Sequence, residues 1–293
     1  MYFDLISDFH TEFNKNRQQL DLYTHGDGEP IYYDWAAEQE SDILVIAGDT
    51  SNSVKKTKKI VAEAARFYKH VVFVDGNHEA YYHKAHLGDS VFRDKIKFHN
   101  FAKKSSNITY LNSWINGTQF VYGDTVFIGC NGWYDFNMAE GMSVEAQRAE
   151  WEQKSNDSYY PVYLGNTPDL MAKHDFEYIK EQVNNYSTRD DINNIVIVTH
   201  TVPIKTALVP MGHEWYSLNG AYGNSMMKDI WNDNSHGKIK TWVFGHTHNK
   251  FDVYANDVRF VCNPRGYGNC YKFTGIRPIS TENDNGSAFG DII

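Results

Sequence analysis

Long apolar runs, paired cysteines and a surplus of basic residues are all missing from this 293-residue sequence, and each absence narrows the possibilities. No apolar run approaches the ~18–20 residues that a membrane-spanning helix needs, which excludes a helical membrane protein. The three cysteines, Cys130, Cys262 and Cys270, are too few and too scattered for a disulfide framework, and no C-x-x-C pair occurs. A thiolate zinc site is therefore not expected, and a reducing, cytoplasmic setting is. Residues 1–8 have neither a basic start nor a long apolar stretch, so no secretion signal is expected. Lys and Arg number 28 against 37 Asp and Glu, a formal charge of −9. That balance argues against a protein that coats nucleic acid through bulk charge. What the chain does have is 41% apolar residues with 22% charged, enough for a full core and too apolar for a disordered chain.

Short apolar runs alternate with longer amphipathic ones, the pattern of an α/β fold with a largely parallel sheet. Strands are expected at Tyr2–Ile6, Asp42–Ala47, Val71–Asp75, Ile108–Leu111, Gln119–Tyr122, Thr125–Gly129, Ile195–Thr199 and Thr241–Phe244. Phe251–Tyr254 and Val258–Cys262 read as a closing hairpin with Asn256-Asp257 at its turn. Helical spacing marks Ser53–Lys69, Asp89–Lys104, Asp169–Tyr186 and Ser225–Asn232. No linker or internal repeat divides the chain. The expectation is one domain over residues 1–275, followed by a polar, frayed tail at 276–293. Two aromatic-rich stretches, near 133–164 and 204–224, break the alternation and read as loop insertions. Their aromatics either cover a binding site or pack over sheet edges.

Metal-ligand residue types follow five of the expected strands: Asp8-Phe9-His10, Gly48-Asp49, Gly76-Asn77-His78-Glu79, His200, and Gly245-His246-Thr247-His248. The carboxyl ends of parallel strands lie along one rim, where ligands bind, so the five segments can converge. Asp8, His10, Asp49, Asn77, His200, His246 and His248 offer seven oxygen or imidazole donors, more than one tetrahedral ion uses. Two ions sharing a carboxylate would use them all. Without thiolates, the donor mix suits Mn, Fe, Zn, Ni or Co.

The ordered set D-x-H, G-D, G-N-H-E, lone His and G-H-T-H resembles the calcineurin-like metallophosphoesterase superfamily, over about residues 1–275. The runs 132–136, 220–225 and 263–267 are also similar to small bacterial and phage members. The resemblance implies two mixed β-sheets packed as a sandwich and flanked by helices. It implies that Asp8, His10 and His248 hold one divalent or trivalent ion, that Asp49 bridges to a second, and that Asn77, His200 and His246 complete the second, with manganese the ion expected to serve in vitro. Asp49 and His78 are the implied catalytic residues, with His78 near the leaving-group oxygen. Gly48-Asp49 continues as Thr50-Ser51-Asn52-Ser53 rather than into the Asp-Arg-Gly of the protein Ser/Thr phosphatases, so a protein phosphatase is not expected.

The functional expectation is a phosphodiesterase on a small or nucleotide-like substrate, in which hydroxide between the metals attacks phosphorus in line. A phosphomonoesterase, a nuclease and a catalytically silent binding module are the alternatives. Nucleic acid is not a favoured partner: Lys55, Lys56, Lys58 and Lys59 read as a solvated helix face. Glu79 either orients His78 or lies on the surface. Asn263 and Arg265 either contact substrate or belong to a turn set by Pro264 and Gly266.

Overall fold

Runs such as Ile43–Ala47 carry no polar residue to turn toward water, so the strands they form need cover on both faces. The structure, a computed structural model, describes residues 1–13, 33–81, 89–115, 117–210, 212–214, 216–267 and 275–282. It supplies that cover with two sheets packed face to face and helices outside, the expected architecture. In the first sheet β1 (Tyr2–Ile6), β2 (Ile43–Ala47), β3 (His70–Val74) and β4 (Ile108–Tyr110) run parallel. The second has the order β5 (Phe120–Tyr122), β6 (Thr125–Gly129), β7 (Asn194–Val198), β8 (Ile239–Phe244), β10 (Val258–Cys262) and β9 (Phe251–Ala255). Its four central strands are parallel and both edges antiparallel.

Alternation along each strand divides the core. Phe3, Leu5, Val45 and Val72 meet Phe127, Val196, Val198 and Val243 between the sheets. On the outer face of the first sheet, Leu44, Ile46 and Phe73 pack against α2 (Val54–Ala64) and α3 (Val91–Ala102), beyond the short α1 (Trp35–Glu38). On the second, Ile128, Ile195 and Ile197 pack against α5 (Pro168–Ser187) and α6 (Met227–Asn232). Serine side chains cap three helices by accepting a backbone N–H: Ser53 from Lys56, Ser90 from Arg93, and Ser143 from Ala146 at the head of α4 (Val144–Lys154). The helix expected to reach Lys69 ends at Ala64, because the chain must turn to bury Tyr68 against Asp4, 2.9 Å from its hydroxyl.

Two expectations need correction. The stretch after residue 275 is not frayed from the start: Arg277–Ser280 forms β11, antiparallel to β1 at the sheet edge. Ile279 enters the core between the sheets and Arg277 ion-pairs with Asp252, so one apolar side chain and one charge anchor a polar segment. Residues 283–293 lie outside the described residues. The 133–164 stretch is not a bare loop either, since it contains α4 and a 3-10 turn at Asn156–Ser158. Its Trp133, Tyr134, Phe136 and Trp151 are buried with Met171 and Ala172 of α5. The 204–224 stretch forms 3-10 turns at Lys205–Ala207 and Tyr216–Ala221, and its Trp215 is outside the described residues.

A buried ion pair lies directly behind the end of β3. Lys95 of α3 reaches Asp75 at 2.7 Å, and Tyr110 donates to the same carboxylate at 2.7 Å. Removing one partner of a buried pair leaves the other charge uncompensated in a low dielectric. Lys95→Ala should therefore lower unfolding stability by about 3–5 kcal/mol, read as a reduced urea midpoint. An unchanged midpoint would mean that the pair contributes nothing to holding β3.

Candidate metal centre

The five motif segments leave the carboxyl ends of β1, β2, β3, β7 and β8, and backbone bonds stitch those ends together. Asp8 N–H donates to Gly48 O, His10 N–H to Asp49 O and Gly245 N–H to His200 O, each at 3.0 Å. Between the sheets, Ser7 N–H donates to Asn263 O at 3.0 Å and Arg265 N–H to Ser7 O at 2.9 Å. Leaving a strand and at once turning a side chain inward requires unusual backbone. Asp8, His10, Asp49, His246 and His248 all have φ between 45° and 73°, a region that costs a non-glycine residue about 1–3 kcal/mol. Two glycines permit the close approach. A Cβ at Gly48, itself at φ +81°, would meet the His200 ring at 2.4 Å, and one at Gly76 would meet Asp49 Oδ1 at 2.1 Å.

All seven expected donors come together, in two groups that share Asp49. Asp8, His10, Asp49 and His248 present donor atoms within 4.8 Å of one another, and so do Asp49, His200 and His246. Asn77 joins the second group, its Oδ1 3.0 Å from His200 Nε2. Asp49 Oδ2 is 3.3 Å from His200 Nε2 and 3.6 Å from His10 Nε2. Its Oδ1 accepts the His78 N–H at 2.9 Å.

Hydrogen-bond partners fix where the ring lone pairs point. A carbonyl only accepts, so His200 Nδ1, 2.9 Å from Ala47 O, carries a proton and Nε2 faces the centre. His246 Nε2, 3.1 Å from Ala221 O, is likewise protonated, which leaves Nδ1 as the donor. His10 Nδ1 donates to Glu12 at 3.1 Å, so Nε2 points to His248 Nε2, 2.9 Å away. Ring nitrogens of three histidines on different strand ends thus face the centre.

Burial and the nearby carboxylates act on the rings in opposite directions. Burial lowers His200, but the charge and hydrogen bond of Asp49 and the charge of Asp8 outweigh it and push the ring up to about 10. For His78, burial is outweighed by the charge of Asp49 and by Glu12, and the ring is raised to about 9. Burial, then the neighbouring His200 charge, pushes His246 down to about 4. Burial raises Asp8 and Asp49; the histidine charges around them prevail and hold Asp8 at about 2 and Asp49 well below the usual carboxylate range. Nitrogen and oxygen donors without a thiolate, gathered in two groups around the shared Asp49 carboxylate, suit a pair of divalent cations.

Three carboxylates outside the donor set hold it in place. Glu12 Oε1 accepts from both His10 Nδ1 at 3.1 Å and His78 Nδ1 at 3.0 Å. Sequence reasoning missed it, although Asp8-x-His10-x-Glu12 continues one spacing and would have been a signal. Asp157 accepts the Asn77 amide at 2.8 Å; nothing in its neighbourhood of the sequence marks it. Glu79 is neither on the surface nor bonded to His78. It is buried and accepts N–H groups from Gly76, Asp49, Thr50 and Ser51 and the Thr57 hydroxyl, at 2.7–3.2 Å. Burial, followed by the Asp49 charge, raises it to about 7. Asn263 and Arg265 take the turn reading. The Asn263 amide donates to Leu5 O and Gly275 O, and Arg265 donates to Phe9 O and lies over the Phe9 ring.

Above the donors opens a cleft of about 400 Å³. Asp49, Asn77, His78, His246 and His248 form its floor, and its walls include residues 154–157, Leu218, Tyr222 and Tyr267. The ends of both insertions therefore line the cleft, while most of their aromatics serve the core. The Tyr267 ring packs edge-on against His248 at 4.4 Å and remains 45% exposed.

The family model of the calcineurin-like phosphoesterases matches residues 1–250. Among curated proteins, uncharacterized protein L509 of Acanthamoeba polyphaga mimivirus is 24% identical over 255 residues, which cover 82% of this chain and 86% of that protein. Among solved structures, phosphopantetheinyl hydrolase from Mycobacterium tuberculosis superposes with a TM-score of 0.72 at 16% identity, covering 98% of each chain, a likeness of fold. With 250 of 293 residues matched and the motif residues gathered at one rim, the chain belongs to the calcineurin-like phosphoesterase family.

Proposed function

We propose that the protein is a dinuclear metal-dependent phosphodiesterase acting on small, nucleotide-like substrates. The observation that carries this reading is the pair of donor groups sharing Asp49 at the floor of a cleft that His78 also faces. Asp8, His10, Asp49 and His248 would hold one ion, and Asp49, Asn77, His200 and His246 the other. Such a pair, when bound, offsets the charge of the phosphoryl oxygens and acidifies water for in-line attack; Mn, Fe, Zn, Ni and Co suit the donors, with Mn the first to try.

The rest of the work falls to the chain. Glu12 accepts a hydrogen bond from His78 Nδ1–H, which directs Nε2 into the cleft, 4.0 Å from Asp49 Oδ2. From there His78 donates to the leaving oxygen as charge builds on it. Tyr222 and Tyr267 offer ring faces for a base or another planar group. Charge supports a diester over a monoester. Among the described residues Lys154 is the only Lys or Arg lining the cleft, and it is already ion-paired with Glu150. A diester brings one negative charge, a monoester about 1.5–2, and the walls hold little to offset the second. Cys130 and Cys262 are buried free thiols, which supports a reducing, cytoplasmic location.

Two measurements test the reading. With Mn²⁺ added, bis-p-nitrophenyl phosphate should be hydrolysed with a higher kcat/KM than p-nitrophenyl phosphate; the reverse order would replace the diesterase with a monoesterase, and no turnover of either would favour a silent binding module. Among variants, Asp49→Asn should lose bound metal and activity together. His78→Ala should retain both ions and lose about 10²–10⁴-fold in kcat. Wild-type turnover by His78→Ala would remove His78 from the chemistry.

A further inference from the structure

We infer that Asp157 is a positioning residue that makes Asn77 a metal ligand, so that the 133–164 insertion, and not the strand ends alone, completes the second ion position. The inference rests on the dinuclear reading above. The argument begins with the two ends of the Asn77 amide. Only its oxygen can bind a cation; its nitrogen only donates. Asp157 Oδ1 lies 2.8 Å from Asn77 Nδ2, and a carboxylate opposite an amide accepts. The nitrogen is therefore held on the insertion side and Oδ1 faces His200 Nε2 at 3.0 Å. Turning the amide over would set oxygen against carboxylate on one side and aim N–H groups at the ion position on the other.

Asp157 is itself held from several directions. Its Oδ1 also accepts from the Tyr81 hydroxyl at 2.5 Å, and its Oδ2 from Tyr134 at 2.9 Å. The Tyr134 oxygen in turn accepts from Trp151 Nε1 at 2.8 Å. Asp157 N–H donates to Ser155 Oγ at 3.2 Å, and its carbonyl accepts from Tyr163 at 2.8 Å. The residue is buried, so the carboxylate has no freedom to swing toward substrate. Tyr81 extends its reach, because that ring stacks on His78 with centroids 4.3 Å apart. One side chain from the 3-10 turn after α4 thus steadies a proposed ligand and the packing of the proposed acid.

The test is the number and affinity of bound ions, measured by elemental analysis and by Mn²⁺ titration of the intact protein, independent of turnover. The wild type should bind two ions. Asp157→Ala should keep the ion of Asp8, His10 and His248 and weaken the other by about 10–100-fold, the usual scale when a ligand loses the partner that orients it. Asp157→Asn, whose amide oxygen still accepts from Asn77, should retain the second ion better than alanine does, and it also serves if the alanine variant fails to fold. Tyr134→Phe, which leaves the Asn77 bond intact, should bind two ions. A folded Asp157→Ala with two ions at wild-type affinity would overturn the role of Asp157 and leave the dinuclear reading standing. Equal weakening of both ions in the folded variants would overturn it too, since the effect would then pass through the fold as a whole. A wild type that binds fewer than two ions would instead overturn the dinuclear reading itself.

Discussion

Around the Asp49 carboxylate the protein crowds ring nitrogens and side-chain oxygens from five strand ends, and much of the surrounding structure answers to that constraint. His200, His10 and His78 point ring nitrogens at Asp49 Oδ2 from 3.3, 3.6 and 4.0 Å, while Asp8 and the Asn77 oxygen stand close behind. Charge on the His200 ring and on the carboxylates of Asp8 and Asp49 is mutually stabilising, so that His200 is raised and the two carboxyls are lowered against the effect of burial. Five of the donors adopt left-handed backbone to reach the centre, as residues of functional sites commonly do.

Holding such a centre together requires a frame that does not yield. Two sheets buried on both faces provide it, because every strand that delivers a donor is locked by neighbours on each side and by side chains above and below. The sheets are joined at Ser7, Asn263 and Arg265. There the backbone bonds fix the distance between the donors of β1 to β3 and those of β7 and β8. Left-handed residues and the close contacts of Gly48 and Gly76 are tolerable only in such a frame.

The parallel strands and the candidate donors at their ends were legible in the sequence because each follows from a local pattern, whereas the two-sheet architecture was implied only by the family resemblance. A continuous apolar run signals a strand buried on both faces, and a ligand residue just after it signals the rim. What was not legible depends on contacts between distant segments. Ile279 becomes core only because β1 offers an open edge beside it, and nothing in its own neighbourhood announces that. Trp133, Tyr134 and Phe136 could as well have lined a binding slot; their burial is decided by α5, more than thirty residues later. Asp157 sits in a polar turn whose composition resembles any surface loop. Its importance comes from Asn77, 80 positions away.

The residues of the site divide by what their partners require. The motif residues aim lone pairs inward and supply attraction for charge. Glu12, Asp157 and Glu79 do the reverse: each accepts N–H or O–H groups from the back of the site, and in doing so selects a tautomer, an amide orientation or a loop conformation. A carboxyl group suits that role because its two oxygens accept several donors at once. Glu12, held low by its bonds to His10 and His78 despite burial, also adds negative charge behind those two rings. In the proposed centre the inward-facing donors would bind an ion, and the outward-facing carboxylates would set where its ligands point. Changes at the second set would therefore alter the geometry of the centre while leaving every recognisable motif residue in place.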